Sequence, residues 1–198
     1  MDDSVFKLIY FILFVLITIV RTAHTTKYRK LEIEDDRKSL IDVIMLALAG
    51  IAMLLPLVYL FFPFFDFADY YLPPWIGWLG VILFVSAIWM LWRSHVELGR
   101  NWTPTLGIRS DHQLVTDGIF KYMRHPMYAA HILWGIATVL MLHNWIAGCS
   151  MLFVFFIQYS LRVDIEEQMM LERFGEPYQS YMQRTGRIFP RFKREGGG

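Results

Sequence analysis

The run Arg124-His125-Pro126-Met127-Tyr128 crowds three hydrogen-bonding side chains against the start of an apolar segment. Charged and polar groups are costly beside a membrane segment, so their clustering there asks for a function. Pro126 suits the first turn of a helix and pushes the residue before it out of the helical region, so the run reads as a loop entering a helix. Such an entrance offers backbone N–H groups without intrahelical partners, which can receive a carboxylate. An aromatic ring or a His edge at the same point can border a positive charge. The plainer alternative is interfacial anchoring by Tyr128 beside a solvated His125.

A second set lies further along the chain. Arg162, Glu166 and Met170 follow at i, i+4 spacing and share a helical face, with Arg173 beyond. Glu167 falls with Val163, Leu171 and Phe174 on an apolar stripe, where a carboxylate needs a partner. Gly175, with Pro177 after it, predicts the helix stop. Arg162 offers a planar fork suited to a carboxylate. The alternative is a surface Arg162–Glu166 ion pair contributing under about 1 kcal/mol. A third set, His112-Gln113-Leu114-Val115, is polar and then apolar within a loop. It can pair and cover a flat ligand, or simply dock Leu114 and Val115 onto neighbouring helices.

Five apolar segments must position these residues: 5–20, 40–62, 75–92, 129–142 and 145–161. A span needs about 20 residues, and shorter ones survive by snorkelling at their flanks. The last two are separated by His143-Asn144, which predicts a short antiparallel hairpin. Of the 19 Lys and Arg residues, all but Lys7 fall on one side of a five-span arrangement. The positive-inside rule makes that side cytoplasmic and leaves the N-terminus outside. Trp75, Trp78 and Trp145 mark one interface, Trp89 and Trp92 the other. The expected architecture is all-α: a polytopic integral membrane protein with five transmembrane helices. Its cytoplasmic pocket is formed by the loop 93–127 and the C-terminal helix. Residues 1–92 form three N-terminal helices, and 93–198 form the core around the short hairpin 129–161.

Composition agrees. The 198 residues are 56% apolar and only 19% charged, low for a soluble domain. The formal net charge of +1 argues against a nucleic-acid partner. Cys149 is the single cysteine, so no intramolecular disulfide or cysteine-based zinc site can form, and no metal is expected. The start Met1-Asp2-Asp3-Ser4 is acidic where a secretory signal is basic, so the first segment is expected to be a retained anchor. His24 and His95 are expected to be solvated or interfacial, His143 to sit in the outer turn, and His131 to line the pocket.

Leu98-Gly99-Arg100-Asn101-Trp102-Thr103, the run from His112 to Phe120 and Arg124 to Tyr128 form one signature. Arg162, Glu166-Glu167, Phe174-Gly175, Tyr178 and Tyr181 form another. Together, over roughly residues 98–190, they resemble the isoprenylcysteine carboxyl methyltransferase family. The resemblance looks closest to a small prokaryotic, archaeal member. Phe120 stands where the family often has Tyr, Ala130 where it often has Gly, and Met170 where it often has Leu; none of these removes a charge. The resemblance implies a membrane enzyme that uses S-adenosyl-L-methionine. It implies cofactor contacts at His112, Gln113, Leu114, Val115, Phe120, His125, Pro126, Met127, Tyr128 and Glu166. It assigns Arg162 to the substrate carboxylate, with Glu167 beside it as the alternative to Glu166. The implied reaction methylates the carboxylate of a membrane-embedded isoprenylcysteine, free or at a prenylated protein C-terminus. Three other readings stay open: a phospholipid N-methyltransferase, a membrane reductase using NADPH, and a non-catalytic membrane scaffold.

Overall fold

The computed structural model describes residues 3–28, 33–37, 39–103, 105–109 and 111–192. Of the basic residues used for orientation, Arg29, Lys30, Lys38, Lys193 and Arg194 lie outside these, as do Met1 and Asp2 of the acidic start. The chain is mostly helical: α1 (Asp3–Tyr28), α2 (Leu40–Phe61), α3 (Pro74–Leu98), α4 (Pro126–Leu142), α5 (Trp145–Phe174) and α6 (Glu176–Arg184). α1, α2, α3 and α5 are long and apolar enough to cross a membrane. α4 is apolar but has 17 residues. At 1.5 Å per residue it is about 26 Å long, a little under a hydrocarbon core of about 30 Å.

Local chemistry sets the boundaries. Ser39 caps α2 through its Oγ, which accepts from the Asp42 N–H at 3.2 Å, and Asp42 Oδ2 accepts from the Ser39 N–H at 3.0 Å. Pro74 and Pro126 each open a helix. The hairpin turn falls at His143-Asn144 as the sequence predicts. His143 adopts the left-handed conformation with φ of 50°. The Asn144 Oδ1 accepts from the Ile146 and Ala147 N–H groups at 3.1 and 2.9 Å, starting α5. Its Nδ2 donates to the Phe65 carbonyl and to Asp69 Oδ1, both at 2.7 Å, which ties the turn to the α2–α3 connection.

Aromatic rings join α1, α3 and α4. Phe84 lies 5.3 Å from Tyr10 and 5.6 Å from Trp134 between ring centroids, and Phe14 lies 5.8 Å from Trp134. α4 and α5 meet closely where Gly135 faces the backbone of Leu152. A Cβ on Gly135 would sit 2.8 Å from the Leu152 Cα, so only glycine allows this approach.

Two features differ from expectation. α5 does not stop at Leu161; it is one continuous helix of 30 residues that carries Arg162, Glu166 and Glu167 on its second half. The drop in hydropathy after Leu161 marks a change of surroundings, not a break, because the residues there remain good helix formers. A small antiparallel ladder also pairs Asp35–Asp36 (β1) with Gly107–Ile108 (β2). Two residues per strand are too few to leave a period-two pattern.

Candidate active site

A cavity of roughly 250 Å³ opens where the second half of α5 meets the α3–α4 connection and the start of α4. Its lining includes His112, Gln113, Leu114, Val115, Phe120, His125, Pro126, Met127, Tyr128, Arg162 and Glu166. Thus the loop, the helix entrance and the α5 face, separated by up to 54 positions in sequence (112 to 166), share one space. His131 lines it too, as expected, and so do Tyr178 and Tyr181 of α6. Glu167 does not.

The loop half is fixed from behind. The Gln113 N–H donates to Asn101 Oδ1 at 3.0 Å. The Ile119 N–H donates to Glu97 Oε2 at 2.7 Å. Gly118, with φ of 60°, makes this turn possible: any Cβ there would collide with the Glu97 carboxylate. The His112 Nδ1 is buried without a hydrogen-bond partner. Burial, aided by Arg173 and Arg109, pushes its pKa down to about 4, so the ring is neutral at physiological pH.

The helix half is a charged network. The Tyr128 hydroxyl donates to Glu166 Oε1 at 2.7 Å. The His125 ring lies between two carboxylates: its Nε2 is 3.2 Å from Glu167 Oε1 and its Nδ1 3.6 Å from Glu166 Oε2. Arg162 is 6% exposed. Its Nε is 3.5 Å from Glu166 Oε1 and 3.8 Å from Asp42 Oδ1, and makes no hydrogen bond. These distances are contacts of charge, so the guanidinium keeps donors available towards the cavity.

Glu167 is the hub beneath the site. It accepts from Arg124 Nε at 2.8 Å and from Arg187 Nε and Nη2 at 3.1 and 2.8 Å. Arg124 also donates through Nη1 to the carbonyls of Met182 and Thr185, at 3.1 and 2.6 Å. The chain after α6 therefore closes back on the helix entrance. The Arg124 and His125 N–H groups donate to the Gly186 and Arg187 carbonyls at 2.8 and 2.9 Å. Two of the N–H groups that the sequence left open for a ligand are thus taken by the tail. Met127 and Tyr128 keep theirs, since the first turn of a helix has no intrahelical acceptors. Tyr181 contributes a further tie, its hydroxyl donating to the Phe120 carbonyl at 2.6 Å. Burial pushes the phenols of Tyr178 and Tyr181 up, so both stay protonated.

Four residues to which sequence reasoning assigned no role in the site belong to this region. Arg21, Asn101 and Gln158 line the cavity, and Asp42 flanks Arg162. A carboxylate near the start of an apolar span was a usable signal for Asp42. Arg21 was counted only for orientation. His95, expected to be solvated or interfacial, is buried at 2% exposure, stacked 5.0 Å from His24 and edge-on to Trp102 at 4.9 Å. Its place near the end of an apolar segment suggested water, but α3 continues past it. Among the described residues, no three His, Cys, Asp or Glu side chains are grouped to hold a metal ion.

Fold and site together define an integral membrane protein of packed apolar helices with a charged, half-enclosed cavity near one end. Residues 79–172 match the model of the isoprenylcysteine carboxyl methyltransferase (ICMT) family. Among curated proteins it is 30% identical over 113 residues to protein-S-isoprenylcysteine O-methyltransferase B of Arabidopsis thaliana, covering 56% of this chain and 57% of that one. It is 35% identical over 92 residues to protein-S-isoprenylcysteine O-methyltransferase of Schizosaccharomyces pombe, covering 46% and 39%. The chain spans about half the length of the curated relatives it matches. Among solved structures, that of the eukaryotic intramembrane Ras methyltransferase ICMT shares the fold. The TM-score is 0.55 at 23% identity, over 94% of this chain and 64% of that one.

Proposed function

We propose that this protein methylates the carboxylate of a membrane-embedded isoprenylcysteine, with S-adenosyl-L-methionine as methyl donor. The observation that carries this reading is the single cavity joining the loop run His112–Val115 to Arg162 and Glu166 on a helix that continues out of a lipid-crossing segment. The matched family region covers both sides of that cavity.

The residues present fit the donor. The loop 112–115 offers backbone polar groups and two apolar side chains for a flat base, and the neutral His112 ring keeps an unpartnered Nδ1. The N–H groups of Met127 and Tyr128 suit a carboxylate, and Tyr128 and Glu166 supply a ring and a negative charge beside a cation. When bound, the donor supplies a methyl group made electrophilic by a positive sulfur. The chain's own contribution is placement. Arg162, held between Asp42 and Glu166, aims donors at the acceptor carboxylate. The apolar walls exclude water from two opposite charges, which strengthens their attraction. A carboxylate is already ionised at neutral pH, so no general base is required, and Glu167 serves by fixing Arg124 and His125.

We read α4 as a fifth crossing, with the N-terminus outside and the cavity and C-terminus on the cytoplasmic side, on the distribution of Lys and Arg. The test is calorimetric binding of S-adenosylhomocysteine to the detergent-solubilised protein, followed by methylation of a prenylcysteine free acid. Binding with transfer to the carboxylate is expected. Transfer to a phospholipid amine, or NADPH binding without S-adenosylhomocysteine binding, overturns the reading.

A further inference from the structure

We propose that Arg21, near the C-terminal end of α1, receives the anionic group of the lipid substrate and sets the preference for a free carboxylate over its methyl ester. The inference rests on the proposed carboxyl methylation and assigns its substrate recognition to a helix outside the matched family region, 79–172.

Arg21 lines the same cavity as Arg162, beside Leu46, Phe155 and His131. Among the described residues its guanidinium makes one hydrogen-bond contact, from Nη1 to Met53 Sδ at 3.4 Å. A thioether is a weak acceptor and carries no charge. Among the described residues no carboxylate pairs with Arg21, and the titratable side chains whose charge it feels, His95 and His131, are bases. Arg162 is in the opposite situation. One guanidinium there faces two carboxylates, Asp42 and Glu166, so that corner already carries a negative surplus. A carboxylate that takes hydrogen bonds from Arg162 therefore gains little net charge attraction there, and Arg21, on the wall of the same cavity, supplies the unmatched positive charge. A guanidinium in an apolar wall without a counter-charge is costly to the free protein, and a ligand that brings the charge relieves that cost.

The reaction then removes what Arg21 holds. The carboxylate oxygen forms a bond to the methyl carbon as the methyl–sulfur bond breaks. The electron pair returns to sulfur, the sulfonium becomes a neutral thioether, and no proton moves. The ester is uncharged, so its attraction to Arg21 is lost and product leaves for the lipid.

The test compares binding of a prenylcysteine free acid and its methyl ester to the full chain in detergent, saturated with S-adenosylhomocysteine. Wild type is expected to bind the acid about tenfold more tightly than the ester, the scale of one charge-assisted contact. Arg21→Gln should abolish that ratio while leaving ester and S-adenosylhomocysteine affinities within about twofold. Arg21→Lys, which keeps the charge without the fork, should retain part of the ratio and carries the test if the Gln variant does not fold. A ratio unchanged in both variants, or a ratio near one in wild type, overturns the assignment. So does a parallel loss of ester and S-adenosylhomocysteine binding in Arg21→Gln, which would mark a structural role. If wild type binds neither acid nor ester while it binds S-adenosylhomocysteine, the failure lies with the substrate reading and not with Arg21.

Discussion

Replacing Glu167 removes the carboxylate that three cationic or titratable side chains share. Arg124 and Glu167 are both nearly inaccessible, their side chains 8% and 4% exposed. Arg187 is 43% exposed and can turn to water. Breaking a buried pair by deleting one partner costs about 3–5 kcal/mol, because the other charge is stranded. Arg124 keeps its carbonyl acceptors at Met182 and Thr185, so the lower end, about 3 kcal/mol, applies to Glu167→Ala. For a chain of this size that is a fall in melting temperature of roughly 6–12 °C. Glu167→Gln keeps the volume and one acceptor and should lose about half as much. Asp164→Asn is the control: Asp164 is 73% exposed and also meets Arg187, so its loss should cost under about 0.5 kcal/mol. The assay is thermal unfolding in detergent, with S-adenosylhomocysteine titrated into each variant. If Glu167→Ala melts with wild type, or no lower than Asp164→Asn, then Glu167 is not the hub and the argument from burial fails.

Three further outcomes are expected. Tyr128→Phe deletes the hydrogen bond to Glu166 and should weaken S-adenosylhomocysteine binding about tenfold, near 1.4 kcal/mol for a bond to a charged group; an unchanged titration curve would refute it. His112 has its folded pKa lowered from 6.5 to about 4, so the unfolded chain binds the extra proton first as pH falls. Its contribution to stability is therefore full above the unfolded pKa and is lost as pH drops towards the folded one, and melting curves of His112→Gln should depend less on pH in that window than those of wild type. Gly135→Val forces side-chain atoms into the Leu152 backbone and should lower the melting temperature by several degrees, at about 1–3 kcal/mol for overpacking; a melting point equal to wild type would show that α4 and α5 separate easily.

Much of the site was legible because its parts carry local signals. Pro126 marks the entrance to α4, Gly175 ends α5, and His143-Asn144 divides the hairpin, each through backbone chemistry confined to a few residues. The family resemblance then gathered His112–Val115, Tyr128 and Glu166 into one reading, and the cavity brings them together. The division between Glu166 and Glu167 was not legible. Adjacent positions on a helix point about 100° apart, and which of them faces the cavity depends on partners 42 and 43 residues earlier, His125 and Arg124. Arg187 and the tail's pairing with the α4 entrance left no periodic trace at all. Arg21 was visible but ambiguous, since a basic residue ending an apolar run has the same appearance whether it meets lipid headgroups or a ligand.

The unbroken course of α5 ties the site's depth to the membrane itself. Phe153 and Phe156, 67% and 56% exposed to the surroundings, sit on the same rod as Arg162 and Glu166, with no hinge between them. A helix answers a thinner or thicker bilayer by tilting or sliding. Because this one runs unbroken through Leu161, any such adjustment carries Arg162 and Glu166 along with the exposed rings. Acyl chain length thereby becomes a setting on the geometry of the cavity, one that detergent micelles erase and reconstituted bilayers of differing thickness would bring back.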